Sequence, residues 1–244
     1  MNPVVLITGA AKRIGAAIAE YFHTQQYRVI IHYRHSKTEA EALAQKLNAR
    51  TPSSATAIYA DLDNFSHYQT LIQQAITCFG RLDALINNAS TFFKTPMGKA
   101  GETEWNALIN SNLKAPFFIA QASAPELKKQ QGSIINIVDI HAEKPLKNFP
   151  IYTCAKAGLR MLTKSLALEL APDVRVNGIA PGHVLWPTNP DTFSVEEQKN
   201  IMETTPLQRA VDPNDIAKTA YFLVENHSIT GQVINIDGGR ATKH

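Results

Sequence analysis

The chain has 244 residues, 44% of them hydrophobic and 18% charged, with a formal net charge of +3. One α/β domain often reaches this size and buries a sizeable core, and so small a charge excess gives no argument for nucleic acid or a membrane surface as partner. No apolar run reaches the roughly 18 residues of a membrane span and no leader-like pattern opens the chain, so a cytoplasmic location is expected. Cys78 and Cys154 lie far apart and in no metal-ligand spacing, so buried reduced thiols and no bound metal are expected.

Short apolar runs alternate with longer amphipathic ones. Val4 to Ile7 reads as a strand, followed by a glycine turn and a helix from about Arg13 to Gln25. Arg28 to Tyr33 is the next strand, Thr38 to Asn48 a helix, Thr56 to Ala60 a strand and Tyr68 to Phe79 a helix. Ala84 to Asn87 is a fourth strand, and one long helix is expected over Glu102 to Lys129. Ser133 to Val138, Val174 to Ile179 and Gln232 to Ile236 complete the strands, with helices over Tyr152 to Leu170 and Pro213 to Glu225. Nearly all-apolar strands are buried on both faces. Alternating βα units of this kind predict a doubly wound, Rossmann-type fold: one domain over residues 1–244, with a seven-stranded parallel sheet and helices on both faces. The polar, Pro-containing stretch from about residue 184 to 208, Trp186 to Gln208 above all, reads as a lid or substrate loop.

The first strand ends in Thr8-Gly9-Ala10-Ala11-Lys12-Arg13-Ile14-Gly15. Small residues let the backbone approach a pyrophosphate, and the following helix offers free N–H groups to it, so Gly9, Arg13, Ile14 and Gly15 are candidate cofactor ligands. At the second βα junction an NAD site usually carries an acidic residue for the ribose 2′-hydroxyl. Here stands Tyr33-Arg34-His35-Ser36, whose cation and hydroxyl suit a 2′-phosphate, and NADPH is the expected cofactor. Asp61 and its neighbour Leu62, after the third strand, stand where an adenine contact is usual. A helix N-cap is an equally good reading of Asp61.

Tyr152 and Lys156 are four apart at a helix start and share a face. A phenol near pKa 10 is a poor acid or base at neutral pH, and a lysine cation beside it is expected to lower that value. Alone the pair means little. The chain also carries Asn87-Asn88-Ala89 after the fourth strand, Asn112 in the long helix, Asn136 in the fifth strand, and Asn177-Gly178-Ile179-Ala180-Pro181-Gly182 at the sixth. This ordered set resembles the short-chain dehydrogenase/reductase family along nearly the whole chain. The resemblance implies Tyr152 as proton donor, Lys156 as its tuner and ribose ligand, Asn112 as holder of a proton-relay water, and Asn88, Ala89, Pro181 and Gly182 beside the cofactor.

One position departs from that family. Its usual serine, thirteen residues before the tyrosine, is here Asp139. Together with Arg13 in the glycine turn, Tyr33-Arg34-His35-Ser36 and Asn88-Ala89-Ser90-Thr91-Phe92, Asp139 gives the chain a closer resemblance to pteridine reductases. That resemblance implies Phe92 stacking on a pterin, Ser90 and Arg13 between cofactor phosphates and pterin, and Asp139 in proton transfer. Reducing a C=N bond needs a hydride on carbon and a proton on nitrogen, which a buried carboxyl group can supply. Trp186, at the head of the variable loop, is a candidate substrate contact, whereas His141 and His183 are expected to be structural. Reduction of a 3-oxoacyl thioester or another carbonyl is the second expectation for the activity, and a non-catalytic NADP-binding sensor the third. A homotetramer pairing the helices over Glu102 to Lys129 and Tyr152 to Leu170 is what the resemblance implies for assembly, and the tail ending at His244 is a candidate to reach a neighbour's site.

Overall fold

The computed structural model describes residues 2–187, 189 and 192–242. Seven parallel strands form one sheet in the order β3-β2-β1-β4-β5-β6-β7. They are β1 Val4–Ile7, β2 Arg28–Tyr33, β3 Ala55–Tyr59, β4 Ala84–Asn87, β5 Ser133–Ile137, β6 Arg175–Pro181 and β7 Val233–Ile236. The helices are α1 Arg13–Thr24, α2 Lys37–Arg50, α3 His67–Phe79, α4 Glu102–Ile109, α5 Ala115–Lys129, α6 Pro150–Glu169, α7 Val195–Thr204 and α8 Pro213–Glu225. The expected doubly wound sheet is therefore present, its strand order reversing between β1 and β4, where such folds open a crevice at the carboxyl ends of the strands.

Successive strand residues feed opposite faces of the sheet. Val5, Ile7, Val29 and Ile31 pack with Ile18, Phe22, Ile216 and Leu223 of α1 and α8. Their neighbours Val4, Leu6 and Ile30 pack on the other side with Leu71, Ile72, Ile119 and Leu127 of α3 and α5. Every residue of β1, β4 and β5 is buried. A side chain sequence Asn87–Asn136–Thr163 then ties sheet to helix: Asn87 Nδ2 donates to Asn136 Oδ1, and Asn136 Nδ2 to Thr163 Oγ1, both at 2.9 Å. It fixes α6 against β4 and β5 inside the core, where an unmade polar contact costs most.

Two expectations are corrected. The single helix over Glu102 to Lys129 is broken by a π turn over Asn110–Lys114. Pro116 has no N–H to return to the carbonyl of Asn112, so the ladder is interrupted, and the Ala115 N–H reaches back to Asn110 O. The stretch from 184 to 208 is not all loop, because α7 lies inside it. Its N-terminus is a capping box, with Ser194 Oγ accepting from Glu197 N at 3.1 Å and Glu197 Oε2 accepting from Ser194 N at 2.7 Å. Boundaries elsewhere shift by one or two residues; α6 begins at Pro150, a favoured first helical residue, instead of Tyr152.

Gly15 shows how tightly the first turn is packed. A methyl group there would stand 2.5 Å from Gly9 O, 2.7 Å from Asn88 Nδ2 and 2.8 Å from Ala10 Cα. Two of those three atoms are backbone, so the chain has to move. Gly15→Ala is expected to destabilise the protein by about 1–3 kcal/mol, the usual cost of overpacking, in urea unfolding. An unchanged midpoint would show that the turn has slack.

Candidate active site

At the reversal of strand order, two adjoining cavities open over the strand ends. The first, of about 440 Å³, is lined by Gly9, Lys12, Arg13, Ile14, Gly15, Tyr33, Arg34, His35, Ser36, Leu62, Asn88, Ala89 and Ser90, among others. The second, of about 400 Å³, is lined by Phe92, Asp139, His141, Tyr152, Lys156, Pro181, Gly182, His183 and Phe193, with Arg13, Ile14, Asn88 and Ser90 shared between the two. Most of the expected site residues are thus brought together. Asp61, Asn112 and Trp186 are not among the lining residues.

The β1–α1 turn is built for a close approach. Gly9 has φ +62°, and a methyl group on it would stand 2.9 Å from Ala89 Cα. No side chain caps the N-terminus of α1, so its first amides face the first cavity free of a protein acceptor. A narrow backbone cradle at an uncapped helix N-terminus fits a dinucleotide pyrophosphate. The turn is held from behind by His32, a residue of β2. Gly9 N donates to His32 Nδ1 and the ring reaches Ala60 O through Nε2, each at 3.0 Å. Burial pushes this imidazole down to about 4, so above that pH it stays neutral and can accept from the turn. Its only signal in the sequence is a polar residue in the apolar run Val29 to Tyr33.

Arg13 occupies a left-handed backbone conformation, φ +57°, which costs a non-glycine residue about 1 kcal/mol. Its guanidinium donates from one nitrogen to Leu185 O at 2.8 Å and Trp186 O at 3.0 Å. The residue therefore bridges the glycine turn and the substrate loop. Arg34 lines the first cavity, but its guanidinium is already paired with Asp61 at 3.0 Å and Asp63 at 2.6 Å. Asp61 is in this way an anchor for Arg34, and its carboxylate also accepts from Asp63 N, while Leu62 and Asp63 line the cavity wall.

In the second cavity Tyr152 Oη donates to Asp139 Oδ2 at 2.7 Å, and Asp139 Oδ1 accepts from His141 N at 2.8 Å. Burial, reinforced by the Asp139 carboxylate and this hydrogen bond, pushes the phenol well above its ordinary value. The expected lowering by Lys156 is not found. Lys156 Nζ donates to Ile137 O at 2.9 Å and lies 5.7 Å from the Tyr152 ring centroid, while burial brings the ammonium down to about 8. The tyrosine is consequently a protonated donor hydrogen-bonded to a carboxylate.

Asn112 is fully buried and faces the loop after β4 instead of the cavity. It accepts from Ser90 Oγ at 2.6 Å and donates to Thr91 O at 2.9 Å and Leu108 O at 3.0 Å. The π turn brings it there, and through it the helix holds the segment that carries Ser90 and Phe92. Phe92 lines the cavity as expected, its ring stacked on Phe149 with centroids 4.5 Å apart and planes 11° apart. Trp186 stacks on His183 at 3.5 Å, and it is His183 that lines the cavity. His141 and His183 both line the cavity, and each also has a partner within the protein: His141 Nδ1 lies 2.9 Å from Lys144 O and His183 stacks on Trp186. Cys78 and Cys154 are free, as expected, but both are exposed on helix surfaces instead of buried. Among the described residues no cluster of His, Cys, Asp and Glu is suited to a metal ion, and no helix is long and apolar enough to cross a membrane.

Residues 9–241 match the family model described as enoyl-(acyl carrier protein) reductase. Pteridine reductase 1 of Leishmania tarentolae is 37% identical, over 97% of this chain and 96% of its own length. The chain belongs to the short-chain dehydrogenase/reductase family. The same family supplies other relatives at similar distance. The 3-oxoacyl-(acyl-carrier-protein) reductase FabG of Staphylococcus aureus strain N315 is 34% identical over 98% of both chains, and that of Staphylococcus epidermidis strain ATCC 12228 is also 34% identical. Short-chain reductases are oxidoreductases that use nicotinamide dinucleotides and small-molecule substrates, and the cradle at the first turn fits the cofactor's pyrophosphate.

Lys156 carries a testable cost. An ammonium brought from 10.5 to about 8 by burial reflects an unfavourable charged form worth on the order of 3 kcal/mol. The unfolded chain binds the proton up to about pH 10.5 and the folded one only up to about 8. The cost is present in full below pH 8 and disappears as pH rises from 8 toward 10.5. Without cofactor, Lys156→Met should be more stable than the wild type by about 1 kcal/mol or more at pH 7, after loss of the Ile137 hydrogen bond. It should lose that advantage at pH 10 in thermal melts. A variant less stable at both pH values would contradict this account.

Proposed function

We propose that this short-chain reductase is an NADPH-dependent pteridine reductase that reduces a 7,8-dihydropterin to its tetrahydro form. The observation that carries the reading is the Tyr152–Asp139 hydrogen bond of 2.7 Å in a cavity walled by Phe92. The wider family uses a serine at the Asp139 position to orient a carbonyl. A carboxylate bonded to the phenol suits a different task, delivery of a proton to a ring nitrogen.

Gly9, Ile14, Gly15 and the free amides of α1 would hold a nicotinamide dinucleotide, which would supply the hydride. Phe92 presents an aromatic face to the flat ring, a contact that contributes about 1–3 kcal/mol for comparable bases. Tyr152 and Asp139 share one proton between Oη and Oδ2 and pass it to the nitrogen of the reduced C=N bond. Tyr152 Oη, hydrogen-bonded to Asp139 at the cavity wall, is the hydroxyl placed to give up this proton. Lys156, at the cavity wall and bonded to Ile137 O, would be the residue to hold the cofactor ribose. Arg13 and Ser90, on the wall common to both cavities, hold phosphate on one side and pterin on the other.

The test is NADPH oxidation with a panel of dihydropterins, dihydrofolate and an acetoacetyl thioester. Turnover of the dihydropterins is expected. Tyr152→Phe should keep cofactor binding and lower kcat by two or more orders of magnitude, the scale of general acid catalysis. Asp139→Ser, which installs the usual family residue, should impair pterin reduction. A wild type that ignores every pterin and reduces the thioester would make it a carbonyl reductase, the reading that the staphylococcal relatives favour.

The 2′-phosphate preference rests on Arg34, His35 and Ser36 at the cavity rim. Losing a charge-assisted hydrogen bond costs roughly 1.5–3 kcal/mol. Arg34→Asp is therefore expected to weaken NADPH about ten-fold or more and to spare NADH. Equal kcat/KM for the two cofactors in the wild type would refute the preference.

Assembly as a homotetramer is proposed on the outward apolar side chains of the central helices. Met161 and Leu168 on α6 are 61% and 80% exposed, and Phe117 on α5 is 38% exposed. Apolar patches of this kind are commonly covered by another chain. Light scattering at micromolar concentration should give a particle of four chains; a monomer would refute it. The last two residues, 243 and 244, lie outside the described ones. The preceding segment, Arg240–Thr242, forms a short 3-10 turn, and Arg240 lines its own chain's cavity.

A further inference from the structure

The loop that follows β7 is constructed to aim one side chain. Asp237 sits at its base, with Oδ1 accepting from Gly239 N at 2.9 Å and Oδ2 from Ala241 N at 2.7 Å. Both carboxylate oxygens are thus spent on holding the turn. Gly238 and Gly239 both take left-handed conformations, φ +63° and +84°. They are pressed against the end of the substrate loop: a methyl group on Gly238 would stand 2.9 Å from Thr205 Cγ2, and one on Gly239 3.0 Å from Pro206 Cγ. Gly182 lies against the base of the β7 turn, since a methyl group on it would stand 2.8 Å from Asp237 Cα. Leu207 N donates to Gly238 O at 3.1 Å.

What this turn presents to the second cavity is Arg240. Among the described residues neither a carboxylate nor a carbonyl accepts from its guanidinium; only its backbone N–H is used, by Asp237 O. Every other charged group that bears on the cavity is hydrogen-bonded within the protein. Arg13 reaches two carbonyls, Lys156 one, and Asp139 takes Tyr152 Oη and His141 N. His183, between Arg13 and Arg240, feels both cations and is depressed by burial to about 4, so it adds no third charge. Partial burial also depresses the Arg240 guanidinium, against the pull of Asp139 and Asp237. A half-buried guanidinium that gives up water and finds no protein acceptor is unfavourable unless a ligand supplies one.

We propose that Arg240 is a specificity-determining substrate contact that donates to the carbonyl oxygen on the lactam edge of the heterocycle. This rests on the pteridine reading and deepens it. The Tyr152–Asp139 pair and Arg240 bear on one cavity, the pair placed to give a proton and the guanidinium a hydrogen bond. A flat ring with a C=N nitrogen and a carbonyl oxygen on its edge satisfies both. Arg240 takes no part in the proton path, so its contribution falls on binding and not on the chemical step.

The experiment compares two ligands on the cofactor-bound protein. One is a 2-amino-4-oxo-7,8-dihydropteridine, and the other is its 2,4-diamino counterpart, in which a donor replaces the carbonyl acceptor. Titration calorimetry gives Kd for both, and turnover of the oxo compound gives KM and kcat. Wild type should favour the oxo ligand. Arg240→Leu should weaken the oxo ligand about ten-fold or more, the scale of a lost charge-assisted hydrogen bond, and the diamino ligand by no more than about two-fold. KM should rise in step with kcat nearly unchanged, cofactor affinity should be unaltered, and Arg240→Lys should recover part of the loss. If Arg240→Leu fails to fold, Arg240→Gln serves, and the oxo-over-amino preference of the wild type needs no variant at all. Equal weakening of both ligands, or none, in an enzyme that reduces dihydropterins would overturn the role of Arg240 and leave the pteridine reading standing. A wild type that neither binds nor reduces any dihydropterin would overturn both.

Discussion

Backbone meets backbone where the β1–α1 turn lies against the end of β4, and the geometry of both cavities follows from that contact. Gly9 approaches Ala89 so closely that no β-carbon fits between them, and Gly15 does the same to Gly9 and Asn88. Asn88 completes the contact by donating to the carbonyls of Thr8 and Gly9 at 2.9 and 3.0 Å. Because β4 is welded to β1 at this point, the segment after β4 leaves the sheet in a fixed direction. Ser90 and Phe92 are carried into place by that departure, and Asn112 secures them from the helix behind. A looser first turn would change the width of the cofactor cradle and the position of the substrate wall together.

The sheet was legible because its strands are short, apolar and evenly spaced, and each is followed by a helix-period pattern. The parts that were not legible depend on contacts between distant residues. Pro116 alone did not announce a π turn, since proline in a helix more often kinks or ends it; the buried partners of Asn112 select the π geometry. The capping box of α7, Ser194 and Glu197, was readable but lies in a polar stretch with little apolar periodicity. Asp139 and Tyr152 were identified from their thirteen-residue spacing and a family resemblance, whereas the direction of the tyrosine's shift required knowing that Lys156 spends its hydrogen bond on Ile137. His32 and Arg240 carried no pattern at all. One is a polar residue within an apolar strand, and the other a lone cation after two glycines, and only tertiary structure shows what each faces.

The second cavity also illustrates how burial sorts neighbouring groups. Tyr152 and Lys156 are both buried, and burial favours the neutral form of each, raising the phenol and lowering the ammonium. The two therefore keep their protons over different ranges, so one site holds an acid that does not ionise near neutrality and a base-capable amine only slightly above it. Asp139 widens this separation for the tyrosine and opposes it for the lysine. A serine in its place would carry no charge and do neither.

Arg13 is strained in its backbone, tied by its guanidinium to the substrate loop, and part of the wall that both cavities share. A ligand that settles on one side of this wall alters what the other side offers. Since free energy is a function of state, the influence runs equally in both directions: whatever factor a ligand in one cavity adds to affinity in the other, the second ligand returns to the first. The two cavities are thus coupled through a single side chain that also holds Leu185 and Trp186, with no part of the sheet between them.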